Sequence, residues 1–188
     1  MYKCYNFNVD IYTIDWFSES EKFARFLKTD SISVVGHSMG GYTTLAVAGG
    51  IPTSLNSESL DGKPKHIKVK HHRKIKSFVL LALGKIWFKD KGALSRVDIP
   101  ILMIVAEKDQ FTQPFHAQIV LEGVTDNSKV EYRIIENAGH FSFLSQFPKF
   151  MITPEFFLAQ DPVGFDREKF HNELNIEILD FLMKYVKF

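Results

Sequence analysis

The pentapeptide Gly36-His37-Ser38-Met39-Gly40 constrains this chain more than any other feature, because of what lies on either side of it. Residues 32–35 form an apolar run that predicts a strand, and the helix-compatible residues 42–48 follow. A G-x-S-x-G pattern between a strand and a helix is a nucleophile elbow, which holds its serine at the apex of a strained turn. The glycines let strand and helix approach each other and permit unusual backbone angles. The pattern therefore predicts Ser38 as a nucleophile at the carboxyl end of a strand.

Two further residues follow predicted strands in the order that such an elbow requires. A serine nucleophile needs a base, and the base needs a carboxylate that orients it. Residues 99–106 and 130–135 predict two more strands, which end shortly before Asp109 and His140. Catalytic groups collect where the carboxyl ends of parallel strands meet. The order Ser, Asp, His is typical of this elbow, so we predict Ser38, Asp109 and His140 as a catalytic triad.

Glu107 is the competing acid, two residues before Asp109. An acidic residue after a strand is usually a helix cap or a solvated turn residue, and a lone Gly-His in a loop is usually structural. The joint occurrence in the right order is harder to obtain by chance. We prefer Asp109 because it lies further past the strand end, and its shorter side chain suits an orienting residue on a loop.

The chain resembles the α/β-hydrolase superfamily and, within it, the dienelactone-hydrolase-like group that is also similar to platelet-activating-factor acetylhydrolases. The resemblance is carried by residues 34–43, 101–109, 137–144 and 160–167. The elbow indicates the superfamily, and the last two stretches indicate the narrower group. The resemblance implies Ser38 as nucleophile, His140 as general base and then acid, and Asp109 as the orienting acid. It also implies the Met39 backbone N–H as one oxyanion donor, and neither cofactor nor metal.

The resemblance departs at the N-terminus. Such folds usually place three or four strands and a second oxyanion donor before the elbow, but only 35 residues precede Gly36. Residues 1–30 are an atypical N-terminal segment, in which residues 6–14 predict a short strand or a helical turn. Ser18-x-x-Glu21 is a capping-box signature for a helix that runs to Lys28. No His-Gly or Gly-Gly loop precedes the elbow, so the second oxyanion donor has no candidate.

Three explanations compete for the short N-terminal part. The chain is a fragment of a longer protein, a degraded gene product, or a small hydrolase that completes its sheet with a second copy. We favour truncation, because residues 1–6 read as an arbitrary start. A strand with an unpaired edge can pair with another chain, so the third explanation predicts a homodimer formed through the incomplete sheet.

The composition is that of a single globular domain spanning residues 1–188, with 45% hydrophobic and 14% aromatic residues. A formal net charge of +1 argues against nucleic-acid or membrane-surface partners. The lone cysteine, Cys4, excludes an internal disulfide and fits a reducing compartment. Because neither a leader nor a membrane-spanning stretch is evident, we expect a cytoplasmic location.

The remaining pattern predicts an α/β fold, a mostly parallel sheet flanked by helices. Residues 78–83 are continuously apolar, which is typical of a parallel strand covered on both faces. Residues 115–121 predict a short helix with Gly123 as its stop. A terminal amphipathic helix is expected to begin near Asp166, a suitable N-cap. Alternation of strands and helices favours a parallel sheet.

Two segments are unusual in composition. Residues 52–74 form a polar insertion rich in lysine and histidine, which could be an anionic-ligand patch, a metal site or, as we prefer, a solvated loop. His71 and His72 point apart on a strand and no cysteine or acidic cluster joins them, so zinc is not expected. Residues 141–165 form an aromatic, lid-like segment that either lines an apolar pocket or packs the terminal helix onto the sheet.

Three aromatic residues are candidates for a substrate pocket. Phe141 is the first choice because it adjoins the predicted base. Trp87 and Phe88 could reach the same edge, although core packing is at least an equal alternative. His37 is interpreted as a support for the turn, and His171 as a surface residue on a helix.

Together these features predict cleavage of an ester or lactone through an acyl-serine intermediate. The same triad could serve an amidase, a peptidase or an acyltransferase, because the pocket and not the triad selects the leaving group. An alternative of a different class is a truncated hydrolase remnant that binds through its sheet edge and turns nothing over. The expected partner is a small-molecule ester or lactone, with neither nucleic acid nor membrane involved.

Overall fold

A four-stranded parallel sheet forms the centre of the computed structural model, which describes residues 8–84, 86–113 and 115–185. The strands, adjacent in chain order, are β1 (Ile32–His37), β2 (Ile75–Leu81), β3 (Ile101–Ala106) and β4 (Val130–Ile135). The α-helices of the described part are α1 (Asn8–Glu19), α2 (Met39–Val47), α3 (Phe115–Gly123) and α4 (Arg167–Tyr185). Every neighbouring pair of strands is parallel, which confirms the predicted α/β class.

Helices cover both faces of the sheet, and this explains why residues 78–81 of β2 are apolar without alternation. Phe78 and Leu80 pack into the core cluster that also contains residues of α1, α2 and α3. Val79 and Leu81 belong to the cluster on the opposite face, where α4 packs. Because successive side chains of a strand point to opposite faces, a strand buried on both faces needs an unbroken apolar run.

The ends of two helices follow the sequence expectation. The last residue of α3 is Gly123, the predicted stop. Asp166 directly precedes α4, and its Oδ1 accepts a hydrogen bond from the Lys169 backbone N–H at 3.0 Å. This bond satisfies one of the free amide groups in the first turn of a helix, as an N-cap should.

The N-terminal segment differs from the expectation. Residues 8–19 form α1, and Ser18 lies in its last turn, where its Oγ donates to the Ile14 carbonyl at 2.8 Å. The helix predicted to start at Ser18 is therefore wrong; residues 24–26 form only a 3-10 turn. Buried Ile11 anchors α1 in the core, a tertiary contact that a local capping pattern does not report. Cys4 lies outside the described residues.

Part of the polar insertion, residues 52–74, contacts the rest of the molecule. Asp15 of α1 pairs with Lys70 at 3.1 Å and with His72 at 3.2 Å. Ile67 and Val69 are partly buried and pack against the core. Residues 67–72 therefore contact α1 and the core, while residues 60–66 are exposed, as expected of a solvated loop. None of the helices described here is long and apolar enough to cross a membrane.

Candidate active site

The turn between β1 and α2 holds Ser38 in a strained backbone conformation. Its φ of 54° and ψ of −116° lie where a residue with a side chain is rarely found. The loop after β2 fixes this turn: the Ser38 N–H donates to the Leu81 carbonyl at 2.9 Å, and the Gly84 N–H donates to the Ser38 carbonyl at 3.1 Å. Met39 is the first residue of α2, so the helix N-terminus begins directly at the serine.

The glycines of this turn are not equivalent. A Cβ on Gly36 would lie 2.5 Å from the backbone of Gly40, so the approach of β1 to α2 requires glycine there. A Cβ on Gly41 would meet the Leu83 side chain at 2.6 Å. A Cβ on Gly40 would meet nothing within 4 Å. Both glycines of the motif were expected to allow the close approach of strand and helix, but of these two only Gly36 lies at a close contact.

The three predicted catalytic side chains lie together at the carboxyl edge of the sheet. His140 Nε2 is 3.0 Å from Ser38 Oγ, and His140 Nδ1 is 2.7 Å from Asp109 Oδ2. A carboxylate only accepts, so Nδ1 carries the proton and Nε2 is free to accept from the serine hydroxyl. His140 is 6% exposed and Asp109 is 8% exposed. Serine, histidine and aspartate thus form one continuous hydrogen-bonded chain.

Asp109 is held by the turn that follows it. Its Oδ1 accepts from the backbone N–H groups of Phe111 and Thr112, both at 2.7 Å, and its Oδ2 accepts from Thr112 Oγ at 2.5 Å. Burial raises the pKa of Asp109, but the hydrogen bonds from His140, Thr112 and Phe111 outweigh it and hold that pKa below its usual value. The carboxyl group therefore stays ionised beside His140.

The competing acid has a different position. Glu107 Oε2 accepts a hydrogen bond from the Asn137 backbone N–H at 2.7 Å, at the exposed start of the loop after β4. Glu107 therefore braces the loop that carries His140, whereas Asp109 contacts the His140 ring itself. Of the two carboxylates, Asp109 is therefore the one that contacts the predicted base.

Two other histidines contact the turn that contains His140. His37 Nε2 lies 2.9 Å from the His140 carbonyl oxygen, and His171 Nε2 lies 2.9 Å from the Ser142 carbonyl oxygen. Burial lowers the pKa of His37, and the nearby His140 lowers it further, while the bond to the His140 carbonyl acts in the opposite direction. His171, expected on the surface, is half-buried and bonded to this turn.

An ion pair that the sequence interpretation missed fastens the aromatic segment. Arg167, 8% exposed, donates to Asp161 through Nε at 2.8 Å and through Nη2 at 3.0 Å. Asp161 also accepts from Ser142 Oγ at 2.7 Å, and Ser142 Oγ accepts from the Gly139 N–H at 3.0 Å. These bonds link the start of α4 to the residues on either side of His140.

A cavity of about 420 Å³ opens beside His140. Its lining residues are Lys108, Gln110, Phe111, Gly139, His140, Phe141, Phe157, Gln160, Asp161 and Pro162. The Phe141 ring lies 5.3 Å from Phe111 and 5.4 Å from Phe157, so three aromatic rings form one apolar wall. Phe141, the first candidate from the sequence, lines this cavity; Phe111 was missed, although its position two residues after Asp109 was a usable signal.

The structure does not bring Trp87 and Phe88 to this cavity. Phe88 is 1% exposed and packs 5.3 Å from Tyr42 on α2. Trp87 lies 4.6 Å from Tyr42, and its Nε1 donates to the Glu58 carboxylate at 3.0 Å. The suggestion that these two residues line the substrate pocket is therefore corrected. They pack against α2, which is the core-packing alternative.

Comparisons with known proteins agree with the fold. No protein-family model matches the sequence. A thermostable monoacylglycerol lipase from Bacillus sp. (strain H-257) is 26% identical over an alignment of 160 residues; the match covers 69% of this chain and 64% of the lipase. The crystal structure of a candidate α/β hydrolase of unknown function from Agrobacterium tumefaciens superposes with a TM-score of 0.54. It is 12% identical, and the match covers 98% of this chain and 63% of that one.

An α-β serine hydrolase homologue from Coxiella burnetii also matches, with a TM-score of 0.46, 15% identity, and coverage of 73% of this chain and 53% of that chain. The chain spans less than two thirds of the length of each of these proteins. The similarity to the Agrobacterium structure establishes the class of fold. This chain has the α/β-hydrolase fold, as its elbow predicts.

Proposed function

We propose that this chain is a serine hydrolase that cleaves a carboxylic ester through an acyl-serine intermediate. The observation that carries the proposal is the pair of hydrogen bonds of His140, to Ser38 Oγ at 3.0 Å and to Asp109 Oδ2 at 2.7 Å. A serine that donates to an imidazole held by a buried carboxylate is the arrangement that activates a hydroxyl nucleophile.

In the first half of the reaction, Ser38 Oγ attacks the ester carbonyl carbon and its proton passes to His140 Nε2. The tetrahedral intermediate collapses as the bond from carbon to the leaving oxygen breaks, and His140 gives the proton to that oxygen. The alcohol departs and Ser38 carries the acyl group. Asp109 stabilises the imidazolium throughout.

In the second half, His140 takes a proton from water, the hydroxide attacks the acyl carbon, and the proton returns to Ser38 Oγ as the acid leaves. The Met39 N–H, at the N-terminus of α2, is our proposed donor to the oxyanion in both halves. The sequence offers no candidate for a second oxyanion donor, and loss of one such donor lowers turnover by roughly 100- to 1000-fold. Covalent labelling of the serine is therefore a more sensitive test than turnover.

The proposed substrate is an ester with an apolar acyl or alcohol group. The wall formed by Phe111, Phe141 and Phe157 adjoins His140 and fits such a group. The similarity to a monoacylglycerol lipase supports esters of a fatty acid as the first class to test. The narrower resemblance to dienelactone hydrolases adds lactones as the second class.

The test is labelling of the purified chain with a fluorophosphonate, which reacts with activated serines. We expect the parent to be labelled and both Ser38→Ala and His140→Ala to be unlabelled. Ser95→Ala is the matched control, because Ser95 Oγ is exposed and bonded only within its own turn. A folded parent that resists labelling would contradict the proposal and favour a non-catalytic binding remnant. Monoacylglycerol and lactone panels then separate the two substrate classes.

A further inference from the structure

The His37 side chain forms a hydrogen bond with the backbone of His140. Its Nε2 lies 2.9 Å from the His140 carbonyl oxygen. Because a carbonyl oxygen only accepts, Nε2 carries a proton and donates it. The two imidazole rings lie 4.9 Å apart, centroid to centroid, and the His37 ring also lies 6.1 Å from Phe143. His37 therefore holds the main chain of His140 from one side.

The neighbour of His37 in the chain contacts the other end of the same residue. Ser38 Oγ lies 3.0 Å from His140 Nε2. The end of β1 thus holds His140 at two points, at the carbonyl through His37 and at the ring through Ser38. Asp109 also contacts the ring, with its Oδ2 2.7 Å from Nδ1. The bond from His37 acts instead on the backbone from which the imidazole projects.

From this geometry we propose that His37 is a positioning residue, whose hydrogen bond to the His140 carbonyl sets the separation of Ser38 Oγ and His140 Nε2. The inference rests on the proposed serine-hydrolase function. Reacting groups must be held within about 0.5 Å of their productive positions. A misplacement of about 1 Å lowers turnover by roughly 100-fold.

Burial suits His37 to this role. Because its pKa lies below the usual value, the ring is neutral near pH 7. A neutral ring donates to the carbonyl without placing a positive charge next to His140 when that histidine takes up the serine proton. The hydrogen bond from His37 to the His140 carbonyl therefore positions His140 without disfavouring protonation of its ring.

His171 provides a matched comparison. Its Nε2 lies 2.9 Å from the Ser142 carbonyl oxygen, so it makes the same kind of bond to the same turn at the same distance. It projects from α4, however, and has no chain connection to the nucleophile. A histidine that only stabilises the turn should behave like His171, whereas a positioning residue should not.

The experiment compares His37→Leu, His37→Gln and His171→Leu for kcat and KM on a short-chain ester, fluorophosphonate labelling rate and thermal midpoint. We expect His37→Leu to lower kcat and the labelling rate by about 10- to 100-fold, with KM nearly unchanged. Glutamine keeps an amide donor at a similar reach, so His37→Gln should recover most of the lost rate. His171→Leu should lower the thermal midpoint but leave kcat within about threefold.

The inference is overturned if His37→Leu keeps the parent kcat, or if both leucine variants lose kcat in step with their thermal midpoints. If His37→Leu does not fold, His37→Asn replaces it, because its amide is too short to reach the carbonyl. A parent-like kcat in His37→Asn would then overturn the inference. Failure of the parent to label refutes the proposed function instead, so the parent is measured first.

Discussion

At the scale of single residues, Asp109 and Glu107 show how two nearby carboxylates acquire different roles. Asp109 accepts from His140, Thr112 and Phe111, and is buried. Glu107 accepts from the Asn137 backbone N–H and is exposed. The difference comes from the turn after β3, which aims Asp109 into the site.

This difference gives a prediction with its own control. Asp109→Asn should lower kcat by about 10,000-fold, because an amide at this position favours the wrong imidazole tautomer. Glu107→Gln should change kcat by less than about tenfold, since the amide oxygen can still accept from Asn137. The measurement is kcat on one ester for both variants and the parent. Equal losses of kcat in the two variants would contradict the assignment of Asp109, and not Glu107, as the acid that orients His140.

The sequence carries part of this residue-scale picture. Ser38, Asp109 and His140 could be singled out because each comes shortly after a predicted strand, in the order Ser, Asp, His. Thr112 and Arg167 could not, because their roles depend on turn geometry and on contacts between distant segments. The bond from Thr112 to Asp109 and the pairing of Arg167 with Asp161 exist only once the chain is folded.

At the scale of elements, the junction of β1 and α2 depends on one glycine more than on the others. A Cβ on Gly36 would lie 2.5 Å from the Gly40 backbone, and backbone atoms cannot move aside as a flexible side chain can. Gly40 itself has open space at the corresponding position. The motif therefore combines one glycine needed for packing with one that tolerates a side chain.

We expect Gly36→Ala to lower the free energy of unfolding by about 1–3 kcal/mol, the typical cost of overpacking. Gly40→Ala should leave it unchanged or raise it by up to about 1 kcal/mol, because alanine is the better helix former. Urea denaturation of both variants measures the difference. Equal destabilisation would contradict the distinction between the two glycines.

The elements themselves were predictable where burial on both faces imposes a continuous apolar run, as in β2 and β3. Elements and side-chain positions were less predictable where a tertiary contact determines the structure. The S-x-x-E pattern at Ser18 suggested a helix start, but burial of Ile11 places Ser18 at the end of α1 instead. Trp87 and Phe88 could have served either the core or the site, and only packing against Tyr42 assigns them.

At the scale of the whole molecule, the two outer strands of the described sheet differ in how they are protected. β4 carries Glu131 and Arg133, which pair with Lys184 and Glu177 of α4. β1 has no charged side chain, and among the described residues it pairs with β2 alone. Charged side chains on an outer strand discourage pairing with another chain.

We therefore expect self-association through β1. Val35, 50% exposed at the middle of β1, is the site to change. Val35→Lys should shift the parent from dimer to monomer in light scattering coupled to size exclusion. Ile134→Lys, at a 53% exposed position on β4, should leave the distribution unchanged. A parent that is already monomeric at high concentration would contradict the expectation.

β2 contributes no side chain to the predicted triad, yet it sets the distance between the strands that carry Ser38 and Asp109. Neighbouring strands lie about 4.8 Å apart, so the ends of β1 and β3 are separated by two such steps, roughly 10 Å. This gap is what the His140 ring bridges between Ser38 and Asp109. The site consequently depends on which strands are neighbours and not on how the chain connects them. A circular permutation that keeps β1, β2, β3 and β4 side by side would preserve the gap and the bridge.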